Sequence, residues 1–252
     1  MLFSSVQKQF ILDPKFPNRL LKSGYQHTIE FIHFLFEDYS NRGLSEKTDR
    51  AVAISGLETR IAKALRSEKR YGIFGNYLHR NLLWQRSVDQ KTERIKYKTQ
   101  TVPSWSWMAY DGGVKFIDIP FGGVDWINYL RFDGGHNFML FKKKGKHALI
   151  TEIGGFRNCS LQKKERCHAI LDSSKTERGW IQYDIMGTED LQAERCVVVG
   201  RKLHEDQHGL KKTKYYILVV RPTSTDGEYE RVGVGLVQSD YVVRLSLSVR
   251  VV

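Results

Sequence analysis

Apolar positions recur at helical spacing through the first hundred residues and then switch to alternation. Ile29, Ile32, Phe36 and Tyr39 share one helical face. Gly43 follows and helps end that element. Ser45 is placed to cap a second helix, with Glu46 and Asp49 near its positive end. That helix is expected to run to about Lys69, burying Ile54, Leu57, Ile61 and Leu65. Gly56 inside it costs about 1 kcal/mol relative to alanine, and a close helix crossing would be a reason to keep it. A third helix is expected over residues 77–86, burying Leu78, Leu82 and either Leu83 or Trp84. Residues 87–100 are polar and basic and read as a connector.

From Pro103 the period shortens from about 3.6 residues to about 2. In Pro103-Ser104-Trp105-Ser106-Trp107-Met108-Ala109 a strand would point Trp105, Trp107 and Ala109 to one side and the serines to the other. Asp111-Gly112 is a hairpin-turn signal, and residues 114–119 would return as the partner strand. Further strands are expected over residues 138–141, 147–153, 180–185, 196–203 and 215–221. Residues 228–237 follow Pro222 and the Asp226-Gly227 turn, completing a hairpin. Leu245, Leu247, Val249 and Val251 alternate with Arg244, Ser246, Ser248 and Arg250, the pattern of a half-buried strand. The chain therefore reads as α+β. A helical segment over residues 1–100 precedes a β-rich region over 101–252, a mainly antiparallel sheet or barrel-like sandwich. The two could form one continuous domain.

Hydrophobic residues make up 41% and aromatics 12% of the 252 residues, too many for a disordered tail and enough for a core. The net charge of +12 favours acidic partners. The basic residues are scattered over 69–70, 91–98, 142–146, 163–166 and 211–214, mostly between apolar runs. A nucleic-acid footprint needs them on one face, so nucleic acid is a disfavoured partner. Cys159, Cys167 and Cys196 are too few, and odd in number, for a disulfide framework. Residues 1–10 lack the basic flank and apolar run of a signal peptide. No apolar stretch approaches the roughly 20 residues that cross a bilayer. A soluble, reduced, cytoplasmic protein is expected.

Several dense segments recur in a fixed order. Asp38-Tyr39-Ser40-Asn41-Arg42-Gly43-Leu44-Ser45 is followed by Asp49 to Gly56. Gly72-Ile73-Phe74 and Leu82-Leu83-Trp84 come next, then Pro103-Ser104-Trp105-Ser106-Trp107 with Asp111-Gly112, the most specific of the set. Glu228-Tyr229-Glu230-Arg231-Val232-Gly233 closes the series. In order and approximate spacing the series resembles the region downstream of the signalling domain in fungal heterokaryon-incompatibility proteins. Lys69 stands where that family has tyrosine and Phe74 where it has tryptophan, and residues 122–138 match no family segment. The resemblance implies a non-enzymatic scaffold or recognition module, with a family role in non-self recognition and programmed cell death. It implies protein partners, a signalling domain among them, and no cofactor. Carried over position by position, Tyr39, Asp49, Gly56, Trp84, Pro103, Trp105, Trp107, Asp111, Gly112, Arg231 and Gly233 are the family-motif residues, and a structural role is expected for them. The family's signalling domain, similar to Toll/interleukin-receptor domains, precedes these motifs. The segment ahead of the first helix is too short to hold one. A truncation, an incomplete gene product or a diverged paralogue is therefore expected.

Candidate chemistry is thin. His204-Glu205-Asp206-Gln207-His208 spells the H-E-x-x-H zinc-protease signature, which would make His204 and His208 metal ligands and Glu205 the base, on one helical face. It lies between strand-like runs and before Gly209, so a polar hairpin loop is the favoured reading and a zinc hydrolase the alternative. Cys159, Cys167 and His168 lack a C-x-x-C knuckle, and neighbouring side chains on a strand diverge. Gly233-x-Gly235 lacks the third glycine of a dinucleotide loop. Asp38 with Asp49, or Glu228 with Glu230, could pair for acid–base work. Trp105 and Trp107 read as a packing wedge before a ligand platform. Arg231 is expected to pair with Asp49 or Asp111, fastening the helical and sheet parts together.

Overall fold

The computed structural model describes residues 16–87, 92–98, 100–134, 147–205 and 211–252. Helix α1 (Gly24–Ser40) carries Ile29, Ile32 and Phe36 into the core, with Tyr39 half-buried beside them. It stops at Ser40, ahead of Gly43, where its last turn meets a strand. Ser40 Oγ accepts from Val114 N at 2.9 Å, and Glu37 Oε1 accepts from Phe116 N at 2.8 Å.

The expected second helix is broken. A 3-10 turn (Lys47–Asp49) leads into α2 (Arg50–Ala53), and after a break at Ile54 the chain resumes as α3 (Ser55–Leu65). Ser45 lies outside all three and is not the cap. Ile54, Ile61 and Leu65 are buried, each contributing about 1.5–3 kcal/mol. The crossing expected at Gly56 does not exist: a Cβ built there meets nothing within 4 Å. Arg66, left-handed at φ 49°, ends α3 before Lys69. Lys69 and Arg70 instead form β1 (Lys69–Arg70), paired with β2 (Ile73–Phe74). Tyr71 and Gly72 make the tight turn, at φ 45° and 79°, the positive pair that suits a two-residue hairpin.

The third helix is also shorter than expected. Helix α4 (Leu78–Leu82) gives way to β3 (Trp84–Arg86), which pairs with β4 (Val114–Phe116). The Trp105–Trp107 segment is not a strand and does not partner β4. It forms a turn and a 3-10 helix (Trp107–Ala109), with Ser106 Oγ accepting from Met108 N at 3.0 Å. Serines that bond locally to backbone compete with strand pairing, and here they win over alternation. The partner that β4 lacked is β3.

The remaining strands are β5 (Val124–Trp126), β6 (Arg131–Phe132), β7 (Leu149–Phe156), β8 (Ser160–Lys163), β9 (His168–Leu171), β10 (Glu177–Tyr183), β11 (Arg195–Glu205), β12 (Lys211–Pro222), β13 (Glu228–Gln238) and β14 (Val242–Val251). Among the described residues they form one sheet in the order β12-β11-β7-β14-β13-β10-β9-β8, with β5 on β11 and β6 on β7. Strand β13 also pairs with β12, so β12, β11, β7, β14 and β13 close into a ring. All pairings are antiparallel except β13 with β14, which meet at Glu228↔Arg250 and Tyr229↔Val251. The expected strand at 138–141 lies outside the described residues. The chain is thus α+β, with a mainly antiparallel sheet.

Strand β14 departs from its alternation. The register shifts between Arg244 and Leu247, and Ser246 sits at φ 48°. This bulge leaves Leu245 and Leu247 48% and 54% exposed rather than half-buried. The β3–β4 pair lies between the two halves of the molecule, β4 against α1 and β3 against β10 and β13. One cluster of buried side chains runs continuously from α1 through this pair into the sheet.

Candidate functional site

Strand β13 brings Arg231 beneath β3. Its guanidinium is fully buried and makes four hydrogen bonds. Nε and Nη2 each donate to an Asp184 carboxylate oxygen at 3.0 Å. Nη1 donates to Leu82 O at 2.7 Å and Nη2 to Trp84 O at 2.6 Å. The same group lies 3.5 Å from the centre of the Trp84 ring, a desolvated cation–π contact. A buried arginine is tolerated only when paired and hydrogen-bonded in this way. Burial pushes the Asp184 carboxyl up, and Arg231 pulls it back.

The surrounding bonds tie distant segments to this arginine. Ser104 Oγ accepts from Arg231 N at 2.8 Å and donates to Val252 O. Tyr110 OH donates to Arg231 O at 3.1 Å, and Trp84 Nε1 donates to Trp105 O at 2.9 Å. Arg231 does fasten the helical and sheet parts, but through the Leu82 and Trp84 carbonyls, and its acid is Asp184, on the sheet side, and not Asp49 or Asp111. Asp184 follows β10, the neighbour of β13, and its N–H bonds Val232 O at 2.8 Å. Asp49 is exposed, and Asp111 is taken by Lys47 at 2.5 Å.

A second cluster adjoins the first. Trp107 is fully buried between Phe36, at 5.1 Å, and Tyr39, at 6.0 Å, with Arg50 at 5.2 Å over its ring. Arg50 Nη2 donates to Gly112 O at 2.9 Å, and Tyr39 OH donates to Arg50 O at 2.8 Å. Gly72 lies against Trp107 so closely that a Cβ would stand 2.2 Å from Nε1. Its N–H donates to Glu58 Oε1 at 2.5 Å, and burial pushes the Glu58 carboxyl up.

Tyr39, Trp84, Pro103, Trp105, Trp107, Gly112 and Arg231 thus collect along one seam between α1, the β3–β4 pair and β13. Asp49 and Gly56 are exposed and outside it. Asp111 sits at its edge. Gly233 lies on β13, where a Cβ would meet Gln182 O at 2.8 Å. Trp105 and Trp107 are both 0% exposed and offer no ring face to a ligand.

The remaining candidates are dispersed. His204 and Glu205 end β11, opposite Lys212 and Lys211, so this half of H-E-x-x-H lies on a strand and not on the helix the signature needs. The two strands extend further into the expected loop than the apolar pattern indicated. His208 lies outside the described residues. The three thiols are free, and His168 faces Glu189 at 3.7 Å and the Tyr183 ring at 5.4 Å. No group of three histidine, cysteine or acidic side chains able to hold a metal is gathered among the described residues. Asp38 bonds Arg42, while Glu228 and Glu230 bond Arg250 and Arg94 at 2.9 and 2.6 Å, so neither carboxylate pair converges. No helix among the described residues is long and apolar enough to cross a membrane.

Two surface recesses adjoin these elements. A groove of about 710 Å³ runs between Phe156, Cys159, Leu161, Asp190, Arg195 and Leu245. A cleft of about 340 Å³ is lined by Lys69, Tyr71 and His147 around the buried Glu58, with Lys69 Nζ 3.5 Å from Glu58 Oε2. Neither holds a nucleophile hydrogen-bonded to a base among the described residues. Comparison with protein-family models, curated proteins and solved structures finds no match to the chain.

Asp184, Ser104, Arg50 and Glu58 escaped sequence reasoning. Polar residues bracketed by aromatics give no periodic signal, and their partners lie far along the chain. The one available hint was Arg231 at the head of the apolar run from Val232 to Val237, where a buried cation needs a buried acid.

Proposed function

We propose that this chain is a non-enzymatic recognition module of the heterokaryon-incompatibility type, acting on a protein partner in the cytoplasm. One observation carries the reading: most of the motif residues build a buried seam, centred on the fully bonded Arg231, instead of lining a recess. A motif kept for chemistry presents reactive groups to a pocket; a motif kept for architecture fixes the relation of two packed layers. Tyr39, Trp84, Trp105, Trp107 and Arg231 do the second. They fix the outer surface that a partner would meet. The net charge of +12 favours an acidic partner.

The test is calorimetric titration of the full chain with a purified incompatibility signalling domain. Saturable heat that weakens with added salt is expected. Absence of any binding heat, with both proteins folded, refutes the reading.

A further inference from the structure

The sheet ends on an open edge. Strand β8 comes last in the order and pairs only with β9 among the described residues. Lys164 N–H donates to Cys167 O at 2.8 Å, closing the β8–β9 hairpin. Hydrogen-bonded and non-bonded pairs alternate along an antiparallel ladder. Counting back from Lys164 through Lys163↔His168, Gln162↔Ala169 and Leu161↔Ile170, the bonds to β9 come from Gln162 and not from its two neighbours. Leu161 and Lys163 therefore turn their N–H and C=O groups outward. An edge of this kind is a template for another strand.

This edge opens on the groove of about 710 Å³, which both Ser160 and Leu161 line. Successive strand residues face opposite sides of a sheet, so a recess that touches both runs along the edge and not over one face. Its other walls include Phe156 of β7 and Leu245 of β14. The β14 bulge leaves Leu245 without cover, at 48% exposure. Gly155 widens the groove, since a Cβ built there meets nothing within 4 Å. Glu189 and Asp190 line the same recess, and neither pairs with a lysine or arginine among the described residues; Glu189 meets only the His168 ring, at 3.7 Å. Glu194 beside them is taken by Arg221 at 2.8 Å. Arg195, also in the lining, donates to the Gln192 and Glu194 carbonyls at 3.2 and 2.8 Å. On a chain of net charge +12, the groove joins an open backbone edge to apolar walls and two carboxylates that lack a cation.

We infer that the groove along β8 binds an extended segment of a partner protein in which apolar and basic side chains alternate. The segment adds a strand to β8 and bonds to the backbone of Leu161 and Lys163. Its apolar side chains pack on Phe156, Leu161 and Leu245, and its ammonium or guanidinium groups meet Glu189 and Asp190. Main-chain bonds supply the affinity and alternate side chains the selectivity. This site stands apart from the signalling-domain reading, which concerns an acidic partner.

The experiment is fluorescence anisotropy of the full chain with labelled, end-capped octapeptides in which lysine alternates with valine, leucine or phenylalanine. Saturable binding of at least one peptide is expected, with slowed amide hydrogen exchange over residues 160–163. Of the two forms of that peptide N-methylated at every second residue, one should bind and the other should weaken about tenfold or more, because only one edge of the added strand pairs with β8. Glu189→Gln and Asp190→Asn should each weaken binding about two- to fivefold. Gly155→Phe should abolish it and still melt at the wild-type temperature, since its side chain enters open space. Leu245→Lys, at an exposed position, gives the same block should Gly155→Phe not fold. No binding by any of the peptides overturns the site, as does binding that survives both N-methylated forms and the blocking variants. Dimers that form with rising concentration and vanish in Gly155→Phe would seat a second copy in the groove, and that result too overturns the partner segment.

Discussion

Replacing Arg231 by methionine removes the cation that the seam is built around while keeping much of its apolar stem. It strands a buried Asp184 carboxylate and leaves the Leu82 and Trp84 carbonyls without donors. Breaking a buried pair by deleting one partner costs about 3–5 kcal/mol. For a chain of this size, at about 2–4 °C per kcal/mol, the melting temperature should fall by about 6–20 °C. The double variant Arg231→Met/Asp184→Leu removes the stranded charge but not the two orphaned carbonyls. It should recover part of the loss and remain below wild type, since each unpaired carbonyl costs about 1–3 kcal/mol. Urea unfolding followed by tryptophan fluorescence reads both variants. The pH dependence adds a second check. Without Arg231 the Asp184 pKa rises further, so the folded variant holds a proton that the unfolded chain releases. A group with a raised folded pKa contributes stability at low pH and loses it as pH rises through that pKa. The variant's deficit should therefore shrink in acid and grow towards neutrality. A single variant within 1 kcal/mol of wild type, or a deficit independent of pH, would refute the account of the seam.

Gly72→Ala should destabilise by more than about 1 kcal/mol, because it combines φ 79° with a Cβ 2.2 Å from Trp107, whereas Gly56→Ala, in an open helical position, should stabilise by about 0.5–1 kcal/mol; chemical denaturation of the pair checks the contrast. Trp107→Ala, at 0% exposure, should cost about 3–5 kcal/mol, and an unchanged unfolding midpoint would count against its place in the core. His33 stacks on Phe116 at 3.8 Å, and burial lowers its pKa to about 3. The folded state then binds fewer protons than the unfolded one between about pH 3 and about pH 6.5. Stability should fall as pH drops through that window, and His33→Gln should show a shallower fall in pH-dependent melting.

Helical and strand periodicity were legible where one face is buried and the other wet. Ile29, Ile32 and Phe36 marked α1, and the long apolar runs marked β11, β12 and β13. Pattern failed where local hydrogen bonding overrode it. Ser106 turned a Trp-Ser-Trp alternation into a capped 3-10 helix. Trp84 fitted a helical stripe equally well, yet β4 drew it into a strand. Leu245 and Leu247 alternate as core residues do, but the Ser246 bulge turns them outward. The seam was half legible: Arg231, Trp84, Trp105 and Trp107 stood out, and Asp184 did not. A buried ion pair has one partner anomalous in its strand and another that looks like any surface acid.

The bonds of Arg231 reach across the chain: its side chain donates to the Leu82 carbonyl, 149 residues away, and its backbone N–H donates to Ser104 Oγ, 127 residues away. During synthesis, everything up to β4 emerges long before β13 exists to satisfy it. The bonds that Arg231 gives the Leu82 and Trp84 carbonyls can form only once β13 is present. Chains dominated by such distant contacts fold slowly and expose apolar surface while they do so. The same dependence makes loss of β13 a loss of the helical half as well, so cleavage within the last strands would dismantle the molecule as a unit.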